Sequence, residues 1–425
     1  MGTGHSADTP IRIAHLGISS VISLVDDLLL EKLRKHYCGI YGLPFQGISR
    51  YEDDGRARRI TAYLETVREI VGKRMDAVRN EPFGGPNDKT RYFELLPSES
   101  PLARDYAVLK TLGEGPEREA LERDLTARMR PGSIDVNIMV KLDRINFDRE
   151  GAPLSDEFND AKAALRGFAV SSLESSLILS AGMNQGLFTY MSGFRDFYRD
   201  EAGRLKKRII IKVSDFRSAL IQGKVLAKKG LEVHEFRIES GLNCGGHAFA
   251  SNGFLLPHIL RDFQASRPTL STELRPLIQK HYEKMGWTYP ESARSHEPLV
   301  TVQGGIGTHG EVRRLREGFG MDLTGWASPF LLVAEATCVD DPTRELLRRA
   351  EGKDLYLSDV SPLGVPFNNL RSTGSETWTQ ANVDAGRPGS ACPSGFLAAN
   401  TEFSEKPLCT AGREFQDQKL AQIEA

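Results

Sequence analysis

Short apolar, β-branched runs alternate along the middle of the chain with stretches in which apolar residues recur at helical spacing. Residues 133–142 (SIDVNIMVKL), 174–180 (ESSLILS), 208–213 (RIIIKV), Val233–Glu239 (VHEFRIE), 298–303 (PLVTVQ), 323–333 and Leu355–Ser358 (LYLS) read as strands, and residues 11–23 read as an opening strand. Helical stretches such as residues 216–229 and 311–318 lie between them. Alternation of this kind predicts a mainly parallel sheet. Several strands run directly into Gly, Ser or Asn, as at the active face of a (β/α)₈ TIM barrel. An α/β fold of that barrel type is the expected architecture.

Three further regions frame the barrel. Residues 1–131 hold the opening strand and a mostly helical extension, with helix-period positions over 28–37, 56–78 and 99–129. Asp26-Asp27 reads as a helix start, because acids favour the N-terminal end of a helix. The barrel core is placed at residues 132–360. Within it, residues 248–296 form an insertion longer than one crossover helix needs, expected as a helical lid carrying helices at 254–263 and 274–285. Residues 361–425 read as a loop-rich, Cys-containing tail.

Composition narrows the class. The chain has 425 residues, 40% hydrophobic and 26% charged, which suits a buried core rather than disorder. Lys+Arg number 55 against 57 Asp+Glu, so no long-range field draws the chain to nucleic acid or an anionic membrane. No stretch approaches the roughly 20 apolar residues of a spanning helix, and the polar start has no signal-peptide core. The five cysteines, Cys38, Cys244, Cys338, Cys392 and Cys409, are odd in number and scattered. That argues against a secreted disulfide framework and for a cytoplasmic protein.

Three glycine motifs carry candidate chemistry. Gly304-Gly305-Ile306-Gly307-Thr308 follows a strand and precedes a helix. Glycines there let backbone N–H groups approach a phosphate, and the helix terminus adds a favourable dipole; a ligand-free βα turn is the other reading. The next strand brings Gly325-Trp326-Ala327-Ser328. Barrel phosphates sit between the loops after the last two strands, so Gly325 and the Ser328 hydroxyl join the candidate cradle. Trp326 either stacks on a ligand or serves core or interface. The third motif, Glu239-Ser240-Gly241-Leu242-Asn243-Cys244-Gly245-Gly246-His247, ends a strand. His247, with a near-neutral intrinsic pKa, suits proton transfer, or it caps the turn.

In order and spacing, these motifs resemble the nitronate monooxygenase superfamily, whose relatives include FMN-dependent enoyl-ACP reductases and the reductase partners of polyunsaturated fatty acid synthases. The resemblance runs through Ser180-Ala181-Gly182-Met183-Asn184, Lys212-Val213-Ser214, Ala227-Lys228-Lys229-Gly230, Gly245-Gly246-His247, Gly304-Gly305-Ile306-Gly307 and Gly325-Trp326-Ala327-Ser328-Pro329-Phe330, over about half the chain. It implies an FMN-binding TIM barrel and a flavin-dependent oxidoreductase. His247 would be the general acid or base beside the flavin. Gly304, Gly305, Gly307, Gly325 and Ser328 would hold the phosphate. Asn137, Gly182, Gly245 and Gly246 would lie near the ring. Lys212 would bind the flavin carbonyl side or a substrate oxyanion, or reach solvent from its strand end. The substrate would be a small carbon acid such as a nitronate, or a conjugated thioester, with NAD(P)H binding at the flavin face if it is used. The sequence departs from the family where five residues separate Glu239 from Gly245-Gly246. Glu239 is a candidate acid or a salt-bridge partner for a nearby Arg.

Other classes stay open. A non-redox isomerase or synthase would use the same loops for a phosphorylated small molecule, and an assembly subunit would keep the glycines for packing. Cys244, Cys338, Cys392 and Cys409 would form an iron–sulfur or zinc site if the tail folds over the mouth; without a CxxC pair they read otherwise as buried thiols. A homo-oligomer is compatible with the sequence.

Overall fold

The computed structural model describes residues 7–138, 145–180, 183–239, 256–304, 306–326, 328–337, 339–358, 367–391, 398 and 400–424. Of the expected opening strand only the end is extended. Residues Thr9–Ile13 form a short helix (α1) with Pro10 in its first turn, and a helical turn over Ala14–Leu16 ends at Gly17, whose φ of 79° stops it. Strand β1 is Ser20–Ser23.

A helical block then separates β1 from the next strand. It comprises α2 (Asp27–Tyr41), α3 (Gly55–Asn80), α4 (Asp88–Glu94), α5 (Pro101–Leu109) and α6 (Pro116–Arg128). The Asp26 carboxylate caps α2 by accepting from the Leu29 N–H at 3.0 Å. The later helices share a core of Met75, Val78, Phe93, Tyr106, Leu125 and Met129. Phe93 and Tyr106 stack there with centroids 4.8 Å apart.

The remaining strands and helices follow in alternation. They are β2 (Ile134–Asn137), α7 (Asp160–Val170), β3 (Ser175–Leu179), α8 (Gln185–Met191), β4 (Lys207–Val213), α9 (Phe216–Ala227), β5 (Val233–Glu239), α10 (Leu256–Lys284), β6 (Leu299–Gln303), α11 (His309–Arg313) and β7 (Leu323–Gly325). The seven strands make one parallel sheet, ordered as in the chain from β1 to β7. The register runs Asp135 to Ser176 and Ser176 to Arg208. Ile22, Val136, Leu177, Ile209, Ile211, Phe236 and Val300 are buried, one apolar face repeated strand after strand. Chain-order stepping is what successive βα units give when each crossover has the same hand.

By contact density the chain divides into two units. The first is residues 1–237 with 262–301, and the second is 238–261 with 302–425. In the first unit α3 packs against α7, where Gly167 lets the backbones approach: a Cβ there would lie 2.6 Å from the Ala57 carbonyl oxygen.

Three expectations are corrected. The eighth expected strand, Leu355–Ser358 (β8), leaves the sheet and pairs antiparallel with Phe367–Leu370 (β9). It is braced by the Arg371 guanidinium over the Tyr356 ring at 4.5 Å. Although α12 (Asp341–Arg349) lies between β7 and β8 as a crossover would, β8 takes its ladder hydrogen bonds from β9, which follows after eight residues. The described residues thus form a seven-stranded sheet rather than a closed eight-stranded ring. Of the expected insertion, 248–296, the described part holds one long helix between β5 and β6 rather than two. In α10, Phe263, Leu270, Leu274, Ile278 and Tyr282 are buried, and Phe263 meets Phe216 of α9 edge-on at 5.3 Å. Pro268 and Pro276 lie inside it, so the two helices expected there are continuous. The tail carries regular structure, with α13 (Gly374–Asp384) and α14 (Arg413–Glu424); ahead of β8 the same unit holds α12. Thr373 starts α13 by accepting from the Glu376 N–H. No helix among the described residues is long and apolar enough to cross a membrane.

Candidate functional site

Side chains alternate across a strand, so the apolar face described above leaves a second face to the other set of positions. In the first unit that second face carries a band of polar groups, with the buried Ile178 and Ile210 between that band and the strand ends. Glu235 on β5 accepts from Arg237 Nε at 2.7 Å and from the Thr301 hydroxyl on β6 at 2.5 Å. Arg237 also reaches the Asp135 carboxylate of β2 at 3.5 Å. Arg208 on β4 donates to Ser176 Oγ on β3 at 3.2 Å. Burial raises the pKa of Asp135; Arg237 opposes the rise and Glu235 adds to it. This lattice crosses five strands and satisfies groups that would be costly to bury alone.

Further along the same strands, two residues on in β2 and four in β3 and β4, stand the candidates Asn137 and Lys212 and the first serine of the Ser180-Ala181-Gly182 motif. Asn137 ends β2, Lys212 is the penultimate residue of β4, and Ser180 directly follows β3. They are 5%, 9% and 7% exposed. The Asn137 carbonyl accepts from the Leu24 N–H at 2.9 Å, which ties the end of β1 to the end of β2. Period-two placement puts Asn137, Ser180 and Lys212 on that second face, at the C-terminal ends of their strands. Barrel-type sheets bind ligands at that end. A lysine, an amide and a hydroxyl can there hold a carbonyl or an oxyanion and fix its orientation.

The second unit holds the glycine turns. Gly304 has a φ of 81°, and its N–H donates to the Gly325 carbonyl at 3.1 Å. The N–H groups of Gly307 and Thr308 both donate to Glu311 Oε2, at 2.8 and 2.9 Å, and the Glu311 N–H donates to Thr308 Oγ1 at 3.3 Å. This is a reciprocal cap at the start of α11. The Gly307 N–H, then the Thr308 hydroxyl and N–H, hold the Glu311 carboxyl below its ordinary pKa. Donors expected to face a phosphate therefore already hold an anion belonging to the chain. At Gly325 a Cβ would lie 1.5 Å from Gln303 Oε1, so the missing side chain makes room for the Gln303 amide. Trp326 is 43% exposed and donates to Thr324 Oγ1 at 3.2 Å.

Gly182, Cys244, Gly245, Gly246, His247, Gly305, Cys338 and Cys392 lie outside the described residues, as does the Ser328 side chain. Cys409 is a half-buried free thiol. Among the described residues no group of three or more His, Cys, Asp or Glu could hold a metal.

Sequence reasoning missed the polar lattice and the Glu311 cap, although both had a signal. In Val233–Glu239, Glu235, Arg237 and Glu239 occupy alternate positions between Phe236 and Ile238, the pattern of one polar face. Thr308 and Glu311 have capping-box spacing.

No family model matches the chain, and no curated protein matches it. Among solved structures it is similar to the enoyl reductase domain of MlnA from the macrolactin biosynthesis cluster from Bacillus amyloliquefaciens. The identity is 14% and the TM-score 0.37, over 64% of this chain and 61% of that one. The match therefore spans less than two thirds of that domain.

Proposed function

We propose that this chain is an FMN-dependent oxidoreductase built on a barrel-type α/β sheet. The observation that carries the reading is the placement of buried Asn137, Ser180 and Lys212 at the C-terminal ends of parallel strands laid down in chain order. Asn137 and Lys212 would hydrogen-bond the carbonyl and nitrogen edge of the isoalloxazine, with Gly182, Gly245 and Gly246 beside it. Gly304, Gly305, Gly307, Gly325 and Ser328 would hold the phosphate. His247 would move the proton at the substrate carbon. When bound, the flavin supplies the hydride or electron chemistry that no side chain offers. The fit has one condition. A phosphate at Gly307–Thr308 has to displace the Glu311 carboxylate from both N–H groups.

The test is reconstitution of the full chain with FMN, followed by its absorbance and fluorescence. The reading expects saturable binding with a bound-flavin spectrum. Lys212→Met should weaken binding, and Glu311→Gln, which removes the competing charge, should strengthen it. His247→Ala should keep the flavin and lose turnover of a nitronate or a conjugated thioester. A chain that stays colourless after reconstitution sinks the proposal and leaves a phosphorylated, non-redox substrate as the reading to pursue.

A further inference from the structure

The helical block between β1 and β2 contains a cavity of about 850 Å³, away from the strand ends. Its walls come from the end of α3, the turn before α4, α4 itself and α6. Lys89 lines it and is only 4% exposed. The Lys89 ammonium donates to the Arg79 carbonyl at 2.8 Å and to Thr126 Oγ1 at 3.4 Å, and lies 4.6 Å from the centre of the Phe83 ring. Arg130, at the rim, donates to the carbonyls of Ala127 and Met129 at 2.7 and 2.9 Å. Both cations are thus held by neutral acceptors, and among the described residues neither has a carboxylate within 4 Å.

Two of the three acids on the same walls face arginines, and the third, Glu81, is held by a neutral N–H and keeps its charge. Glu122 pairs with Arg118 at 2.9 Å, Glu119 faces Arg123 at 3.8 Å, and Glu81 accepts the Lys89 backbone N–H at 2.8 Å. Neutral carbonyls orient an ammonium without cancelling its charge. A buried cation in that condition is stabilised by any oxyanion that reaches it. Burial already lowers the pKa of Lys89, with Glu122 and Glu81 opposing. Phe83 and Pro82 add an apolar wall for a carbon skeleton. The cleft is open to solvent and lined mostly by charged side chains, so its volume is that of a small-molecule site in which charge rather than apolar enclosure would hold the occupant.

The geometry assigns this cavity as a binding site for a small organic oxyanion, a carboxylate or a phosphate, seated on Lys89 and Arg130 against Phe83. The site is independent of the flavin reading. The experiment is titration of the full chain with inorganic phosphate and, separately, with succinate, at constant ionic strength and without FMN; the Lys89 variant separates this site from any anion site at the glycine turns. Saturable binding of at least one probe is expected, weakened about tenfold or more by Lys89→Met, the loss expected for one charged hydrogen bond. The probe that binds better tells carboxylate from phosphate. Should Lys89→Met fail to fold, Arg130→Gln at the exposed rim decides, and it too should weaken binding. Absence of saturable binding by both probes, or binding unchanged in Arg130→Gln, overturns the assignment and leaves Lys89 as a cap on the end of α3.

Discussion

Lys207, the first residue of β4, is fully buried on the helix-facing side of the sheet. Its ammonium donates to Ser171 Oγ at 2.9 Å and to the Leu173 carbonyl at 2.5 Å, and lies 4.4 Å from the centre of the Phe168 ring of α7. Burial, with Lys206 nearby, pushes its pKa from 10.5 down to about 7. Between those two values the unfolded chain binds a proton that the folded chain does not, so folding stability rises with pH in that window. The contribution is complete above the unfolded value and is lost as pH falls through the folded one. Each pH unit inside the window is worth about 1.4 kcal/mol. Lys207→Met keeps the volume and removes the titration. It also strands two buried acceptors, at about 1–3 kcal/mol each, but that cost does not vary with pH. Urea unfolding of the two proteins, followed by far-ultraviolet circular dichroism at pH 7.5 and pH 9, measures the difference. Wild type should gain about 2 kcal/mol on the variant over that interval. A difference that stays constant with pH would show that Lys207 keeps an ordinary pKa, and the burial argument would be wrong.

Four other substitutions, in two pairs, test packing in the first unit. Arg199 and Glu232 form a buried two-point pair, Nε to Oε1 at 2.8 Å and Nη2 to Oε2 at 2.6 Å. Glu232→Ala should cost about 3–5 kcal/mol by leaving Arg199 buried and unpaired, and Arg199→Met in the same chain should recover much of it in thermal unfolding. Gly167→Ala should cost about 1–3 kcal/mol by driving α7 off the Ala57 carbonyl. Gly72→Ala, on α3 with open space around it, should stabilise by about 0.5–1 kcal/mol; equal melting temperatures for the two variants would contradict the close approach.

The strands that the sequence marks most clearly are those whose apolar runs meet a layer of helices. In 208–213 and 298–303 the β-branched residues are the ones now buried, and the structure extends or trims each run by a single residue. Leu355–Ser358 has the same local composition, but its partner is chosen by what lies close in space, which local propensity does not encode. The prolines of α10 suggest a break that burial of Leu270, Leu274 and Ile278 overrides. The positions of Asn137 and Lys212 at strand ends are legible because the apolar runs that precede them are. The competition at Gly307 and Thr308 is hard to read from sequence, because a glycine turn invites a ligand while Glu311 has the look of surface charge. The lattice of Asp135, Arg237, Glu235 and Thr301 depends on register between strands far apart in the chain, and no single stretch reveals it.

A sheet whose strand order repeats the chain order also constrains how the protein is made. Each strand from β3 onward has its neighbour already synthesised, so pairing can advance from the N-terminal side as the chain leaves the ribosome. The first pair is the exception. β1 must wait for β2 while the whole helical block emerges between them, and the four residues of β1 offer little to hold in the meantime. The block's own aromatic core around Phe93 and Tyr106 draws on contacts within the block alone, and its formation shortens the effective loop that β1 and β2 must close. Substitutions in that core should therefore slow the assembly of a sheet whose strands they never touch.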